Sequence, residues 1–185
     1  MTPRQPVQNA IEIRAIDECY IAIIVNNFAK HHWPKPASTF ETYCREQNQN
    51  LRLTWLAFYQ THFAGYVTLK WHSAYQPFLE KQIPEIMDLN VLPPYRHKGI
   101  GSALLATAEN EAGKLHEVVG LGVGLYKDYG HAQKLYIKKG YIPDGLGITY
   151  QYKPVAPGKM VCLDDDLILW FTKKCTHSTH HDLIK

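Results

Sequence analysis

The chain has 185 residues, enough for one domain with a sizeable core. Its 20 Lys and Arg against 17 Asp and Glu leave a formal net charge of +3, too little to argue for nucleic acid or a membrane surface, so neither is expected as a partner. Cys19, Cys44, Cys162 and Cys175 stand far apart with no C-x-x-C pair, which argues against a zinc ribbon and for reduced thiols. No N-terminal h-region is present and no apolar run nears the ~20 residues of a membrane span, so the expected setting is cytoplasmic.

In chain order, Ile11–Ala15 reads as a first strand. Asp17 is placed to cap a helix running through Ile24 toward Phe28. Ser38 with Glu41 three residues on predicts a capping box for a second helix reaching about Glu46. Between them, Pro34 and Pro36 break the helix and are expected to expose an aromatic and basic loop, residues 31–36. Residues 55–59 and 63–69 are rich in aromatic and β-branched side chains and predict an antiparallel hairpin across a short polar link. Residues 71–84 have no clear period and read as a long loop, a feature often functional in a compact domain. A fourth strand comes next over Glu85–Val91, then a helix from about Lys98 to Ala112 with Gly113 as its stop, and a fifth strand over residues 118–125. A last helix is expected from Gly130 to Gly140, with two more strands over residues 148–152 and 167–172.

The segment Arg96-His97-Lys98-Gly99-Ile100-Gly101 sits between the fourth strand and its helix. Three basic side chains and two glycines at a helix mouth bring unpaired N–H groups, the helix dipole and positive charge to one place, an anion site suited to a diphosphate. Ile100, Ala103, Leu104 and Ala108 share a face that would dock the helix on a sheet, setting its N-terminus beside the end of the preceding strand. Nucleotide motifs fail on spacing: there is no G-x-x-x-x-G-K-[ST], and Leu104 stands where a third glycine would complete a dinucleotide fingerprint. Gly120, Gly122 and Gly124 lie within a strand, against which something must pack closely.

Residues 87–105, with Arg96, Gly99 and Gly101 in an R-x-x-G-x-G loop, resemble the strand, loop and helix of the GNAT superfamily of N-acetyltransferases. Residues 132–141, which contain Leu135-Tyr136-Ile137-Lys138-Lys139-Gly140-Tyr141, are similar to that superfamily's second signature. The resemblance implies a mixed α/β (α+β) fold: a twisted mixed sheet of six to seven strands flanked by about four helices, with strands four and five splayed to admit the pantetheine arm of acetyl-coenzyme A. One such domain is expected over residues 1–175, followed by a flexible tail, residues 176–185.

The co-substrate implied is acetyl-CoA. Its diphosphate would lie on Arg96, His97, Lys98, Gly99, Ile100, Gly101 and Ser102, and its arm would pair with the backbone of Leu89, Asn90 and Val91. The three strand glycines are expected to permit its close approach. Transfer to an amine needs a base and an acid for the leaving thiolate. Tyr136 matches the family's general acid; on helical spacing alone it reads instead as a core aromatic. Glu85, where many members carry a glutamate, and Asp88 are the candidate bases. The alternative for Glu85 is an exposed strand-end carboxylate. Strand alternation would put Asp88 with Asn90 opposite Met87 and Leu89 unless a bulge intervenes. The family often carries an asparagine where Tyr129 stands here.

The resemblance places the acceptor between residues 31–36 and 151–166. Asp164, Asp165 and Asp166 could attract a cationic amine, on which Trp33 or Tyr152 could stack; a solvated acidic turn before a strand and ordinary surface aromatics are the favoured alternatives. The acceptor expected is a small-molecule amine or a protein or peptide amine, in a monomer or homodimer. Transfer is expected to be direct, in a ternary complex, with no metal and no acyl-cysteine. His177, His180 and His181 are a weak metal signal. The rivals are another acyl-CoA donor and a non-catalytic module that senses acyl-CoA.

Overall fold

The computed structural model describes residues 10–175, which form eight strands and five α-helices. The strands are β1 (Ile11–Ala15), β2 (Arg52–Tyr59), β3 (His62–Lys70), β4 (Glu85–Val91), β5 (Val118–Gly124), β6 (Ile142–Tyr150), β7 (Lys153–Pro154) and β8 (Leu167–Lys174). The helices are α1 (Ile21–Lys30), α2 (Ala37–Asn48), α3 (Gln76–Glu80), α4 (Ile100–Ala112) and α5 (Gly130–Lys138). The strands form one mixed sheet in the order β1-β2-β3-β4-β5-β8-β6-β7. Sheet and helices each exceed the expected number, by the two-residue β7 and the five-residue α3. No described helix is long and apolar enough to cross a membrane. The three tail histidines lie outside the described residues.

Two compact units divide the described residues, the first comprising residues 10–68 and 88–106, the second residues 69–87 and 107–175. In the first, β1 pairs antiparallel with β2 from Ile11↔Tyr59 to Ala15↔Trp55. Between β2 and β3, Gln60 and Thr61 both take positive φ, 48° and 71°, the geometry that matches strand twist in a two-residue hairpin. Ile24 and Phe28 on α1 and Phe40, Tyr43 and Cys44 on α2 bury against Leu56, Phe58, Phe63 and Tyr66, one helical stripe each on the sheet. Asp17 caps as expected, but its side chain accepts from the Cys19 N–H at 2.9 Å and opens a 3₁₀ turn that leads into α1. The Ser38 capping box does not form. Pro36, extended at ψ 144°, is the N-cap of α2, and Ser38 falls inside the helix; proline at a helix entry loses nothing by lacking an N–H, so the helix can start there, ahead of Ser38.

In the second unit, β4 and β5 run parallel with Glu85↔Gly120 and Ile86↔Leu121 in register. β5 pairs antiparallel with β8 along its whole length, from Val118↔Lys174 to Gly124↔Ile168. β6 begins six residues before the expected strand, at Ile142, and its register on β8 shifts between Pro143 and Ile148, an irregular stretch of the kind bulges produce. The expected long loop instead folds inward: α3 carries Phe78, which with Tyr75, Ile83 and Trp170 forms this unit's aromatic core. Tyr75 stacks on Trp170 with centroids 4.2 Å apart and 3° between planes.

Candidate active site

The basic loop belongs to the first unit. After a 3₁₀ turn at Pro93–Tyr95, Arg96 is extended, while His97 at φ 61° and Gly99 at φ 83° are left-handed on either side of Lys98. Gly99 is required by its dihedral and not by crowding, since a Cβ there would meet only Ile11 Cδ1 at 3.9 Å. His97 is among the non-glycine types that tolerate this region. The two reversals fold the backbone into the kind of concavity whose N–H groups hold anions, directly ahead of α4, whose first N–H groups have no intrahelical partner. Arg96, His97 and Lys98 are exposed, whereas Ile100 is buried and anchors the helix. Gly101 and Ser102 are half-buried in the first turn. Arg96 Nε donates to the Val91 carbonyl at 3.2 Å, tying the loop to the end of β4, and Lys98 Nζ lies 4.9 Å from the Tyr59 ring centroid.

The strand itself departs from alternation at Asp88, which is left-handed at φ 52°. Met87, Asp88 and Leu89 are all half-buried and Asn90 is buried, so the expected pairing of Asp88 and Asn90 on a face opposite Met87 and Leu89 does not hold. A left-handed residue kinks the strand and resets the facing of the residues after it. Asp88 Oδ2 accepts from the Tyr43 hydroxyl at 2.6 Å, and Asn90 Nδ2 donates to the Asp88 carbonyl at 3.0 Å. Burial and the Asp88 carboxylate push the Tyr43 hydroxyl well above its ordinary range, so the phenol stays protonated and donates. Gly65 on β3 lets the β4 backbone approach, since a Cβ there would stand 2.2 Å from the Asn90 carbonyl oxygen.

In the second unit, Glu85 is only 3% exposed, which overturns the strand-end alternative. Its Oε2 accepts from Ser73 Oγ at 2.5 Å, and Ser73 Oγ in turn accepts from the Tyr75 N–H at 3.0 Å. Tyr136, on α5, is 7% exposed with its ring 5.8 Å from Tyr141. Its carbonyl accepts from the Tyr141 N–H at 3.0 Å, closing the helix end. The three strand glycines make room for the chain's own side chains and not, on that face, for a ligand: a Cβ at Gly120 would meet Phe78 at 2.1 Å, at Gly122 Ile168 at 2.7 Å, and at Gly124 Tyr129 at 2.4 Å.

The acidic run is pinned by tyrosines. Asp165 Oδ1 accepts from the hydroxyls of both Tyr126 and Tyr129, and Asp164 Oδ2 from that of Tyr150 at 3.0 Å. The Asp165 hydrogen bond pushes Tyr126 up to about 12, and burial, followed by the same bond, raises Tyr129. Tyr152 is exposed with its ring 5.9 Å from Trp170. Trp33 is not a surface aromatic: it is half-buried, edge-on to Phe28 at 5.2 Å. The thiols of Cys44 and Cys175 are raised chiefly by burial and that of Cys19 by Asp17, which keeps all three protonated at neutral pH and poor nucleophiles. Among the described residues, no group of three His, Cys, Asp or Glu side chains could hold a metal ion. Sequence reasoning missed Tyr43 and Ser73, the partners of the two candidate bases, because each pair is distant along the chain and no motif links them.

The model of the acetyltransferase (GNAT) family matches residues 18–141. No match was found among curated protein sequences. Among solved structures, yncA of Salmonella typhimurium, solved with its cofactor acetyl-CoA, is 16% identical, covering 95% of this chain and 100% of that one with a TM-score of 0.63. The ribosomal-protein-S18-alanine N-acetyltransferase of Escherichia coli is 16% identical over 94% of this chain and 99% of its own, also at 0.63. A spermidine N-acetyltransferase chimera from Vibrio cholerae and hSSAT is 14% identical over 90% and 96%, at 0.62. At these identities the likeness is one of fold.

Proposed function

Because this chain belongs to the GNAT family of acetyltransferases, we propose that it moves an acetyl group from acetyl-CoA to a primary amine by direct transfer in a ternary complex. The observation that carries the reading is the left-handed pair His97 and Gly99 at the mouth of α4, a backbone conformation with a use in anion binding. Arg96, His97, Lys98, Gly99, Ile100, Gly101 and Ser102 hold the diphosphate. Leu89, Asn90 and Val91 offer backbone groups to the arm. The Val91 carbonyl is engaged by Arg96, so Arg96 shifts from that carbonyl if Val91 is to pair with the ligand.

The thioester supplies an acyl carbon and a sulfur leaving group; the protein's task is to manage protons. Tyr136 donates its phenolic proton to the departing sulfur. Of the two candidate bases, Asp88 is half-buried and within reach of solvent, whereas Glu85 is enclosed and held by Ser73. That difference favours Asp88 as the group that takes the amine's proton, directly or through water, with Tyr43 fixing its carboxylate. Glu85 then serves to hold residues 73–75 against β4.

The acceptors named for two structural neighbours, spermidine and a ribosomal-protein alanine, set the first panel: a polyamine and a peptide with a free N-terminus. Coenzyme A thiol release is the test. Release that depends on an added amine supports transfer. Tight acetyl-CoA binding with no release for any amine would leave the sensing module, and release only with propionyl- or succinyl-CoA would identify a different donor.

A further inference from the structure

The link between α1 and α2, where the resemblance places part of the acceptor site, holds an arrangement around Lys35 that no motif announces. Lys35 Nζ lies over three aromatic rings, 4.9 Å from the centroid of Trp33, 5.4 Å from that of Phe28 and 5.8 Å from that of Tyr66. Rings presented to one ammonium at these distances form a cage of the sort that recognises alkylammonium ions through their quadrupoles. Phe28 and Tyr66 are fully buried and edge-on to each other at 5.7 Å, so two walls are fixed by the core. The third is fixed by sequence. Trp33 and Lys35 each precede a proline, which biases both toward extended dihedrals, and residues two apart in an extended chain share a side. Trp33 N–H also donates to the Phe28 carbonyl at 3.1 Å. The Lys35 side chain reaches the three rings on four methylenes of a rotatable stem.

The cage continues toward a carboxylate. Tyr66 packs 6.4 Å from Tyr43, whose hydroxyl donates to Asp88. We propose that Phe28, Trp33 and Tyr66 form a binding site for an alkylammonium ligand, and that Lys35 occupies it as a built-in competitor which an incoming cationic amine must displace. That the ligand is the acceptor of the transfer rests on the function proposed above; the binding itself does not.

The test tracks the Trp33 indole N–H resonance, identified with Trp33→Phe, during titration with n-butylammonium chloride at constant ionic strength, with n-butanol as the neutral control. Lys35→Ala empties the cage. Lys35→Gln, which keeps much of the stem and removes the charge, serves where the alanine variant does not fold. The expected result is a saturable shift in the variant, with affinity at least about tenfold above wild type, and none with butanol. Absence of a saturable shift in a folded variant, or equal affinity in wild type and variant, overturns the proposal. Acetyl-CoA binding is measured on the same samples. A protein that takes butylammonium but not acetyl-CoA keeps the cage and refutes the proposed function.

Discussion

Gly65→Ala tests whether the backbone at the end of β4 sets the cofactor geometry. The alanine Cβ would stand 2.2 Å from the Asn90 carbonyl oxygen and 3.0 Å from Val91 Cα, where ordinary contact begins at 3.4 Å. Both opposing atoms are backbone, so no side chain can rotate away. β4 must retreat by about 1 Å at the residues proposed to meet the pantetheine arm. Overpacking of this kind costs ~1–3 kcal/mol, or about 2–12 °C in Tm for a chain of this size. A shift of ~1 Å in a positioning element costs about 100-fold in rate. The assay is kcat/KM for acetyl-CoA alongside thermal unfolding. A variant that unfolds several degrees lower yet retains wild-type kcat/KM would refute the claim that Leu89, Asn90 and Val91 position the cofactor. Unchanged Tm would refute the close approach itself.

Tyr136→Phe should lower kcat by ~10²–10³ with little change in acetyl-CoA KM, as loss of a general acid does; a wild-type rate would return Tyr136 to the role of core aromatic. Arg52 is buried, with Nε 2.6 Å from Glu46 Oε2 and Nη1 2.7 Å from Thr68 Oγ1. Arg52→Ala should cost ~3 kcal/mol, the low end for breaking a buried pair because Glu46 keeps some exposure, and unchanged denaturant stability would contradict this. Tyr43, Tyr66 and Tyr141 have hydroxyls raised chiefly by burial. The folded chain therefore keeps protons that the unfolded chain releases near pH ~10, and stability is full below that pH and falls as pH rises through and beyond it. Phenolate absorbance should show these tyrosines ionising only with unfolding. A single transition near pH ~10 with the fold intact would contradict their burial.

Much of the frame was legible because the relevant signals are local. β1 and β4 were read with their observed bounds, since Ile11 and Ile13 alternate with Glu12 and Arg14 in the first, and Pro84 and Pro93 bracket the second. The basic loop stood out for the same reason: two glycines and three basic side chains lie between a strand and a helix. Asp88 was not, because left-handed geometry at a residue other than glycine is imposed by its surroundings and leaves no mark in the pattern. The Tyr43–Asp88 contact joins residues 45 apart, beyond any periodicity. The strand glycines were read correctly as sites of close packing, but the partners, Phe78, Ile168 and Tyr129, come from α3, β8 and the turn before α5. Pro36, not Ser38, is the N-cap of α2, so the helix starts two residues earlier than the capping pattern suggests.

Every proposed step of the transfer depends on acetyl-CoA binding to β4 and the loop after it. Calorimetric titration of the purified chain with acetyl-CoA, coenzyme A and NADP at moderate salt separates the possibilities, because NADP brings a diphosphate without the pantetheine arm. Both coenzyme A ligands should bind at least about tenfold more tightly than NADP, and Arg96→Ala should weaken both. Equal affinity for all three would mean a general anion site, and no heat with either coenzyme A ligand would contradict the proposed binding outright.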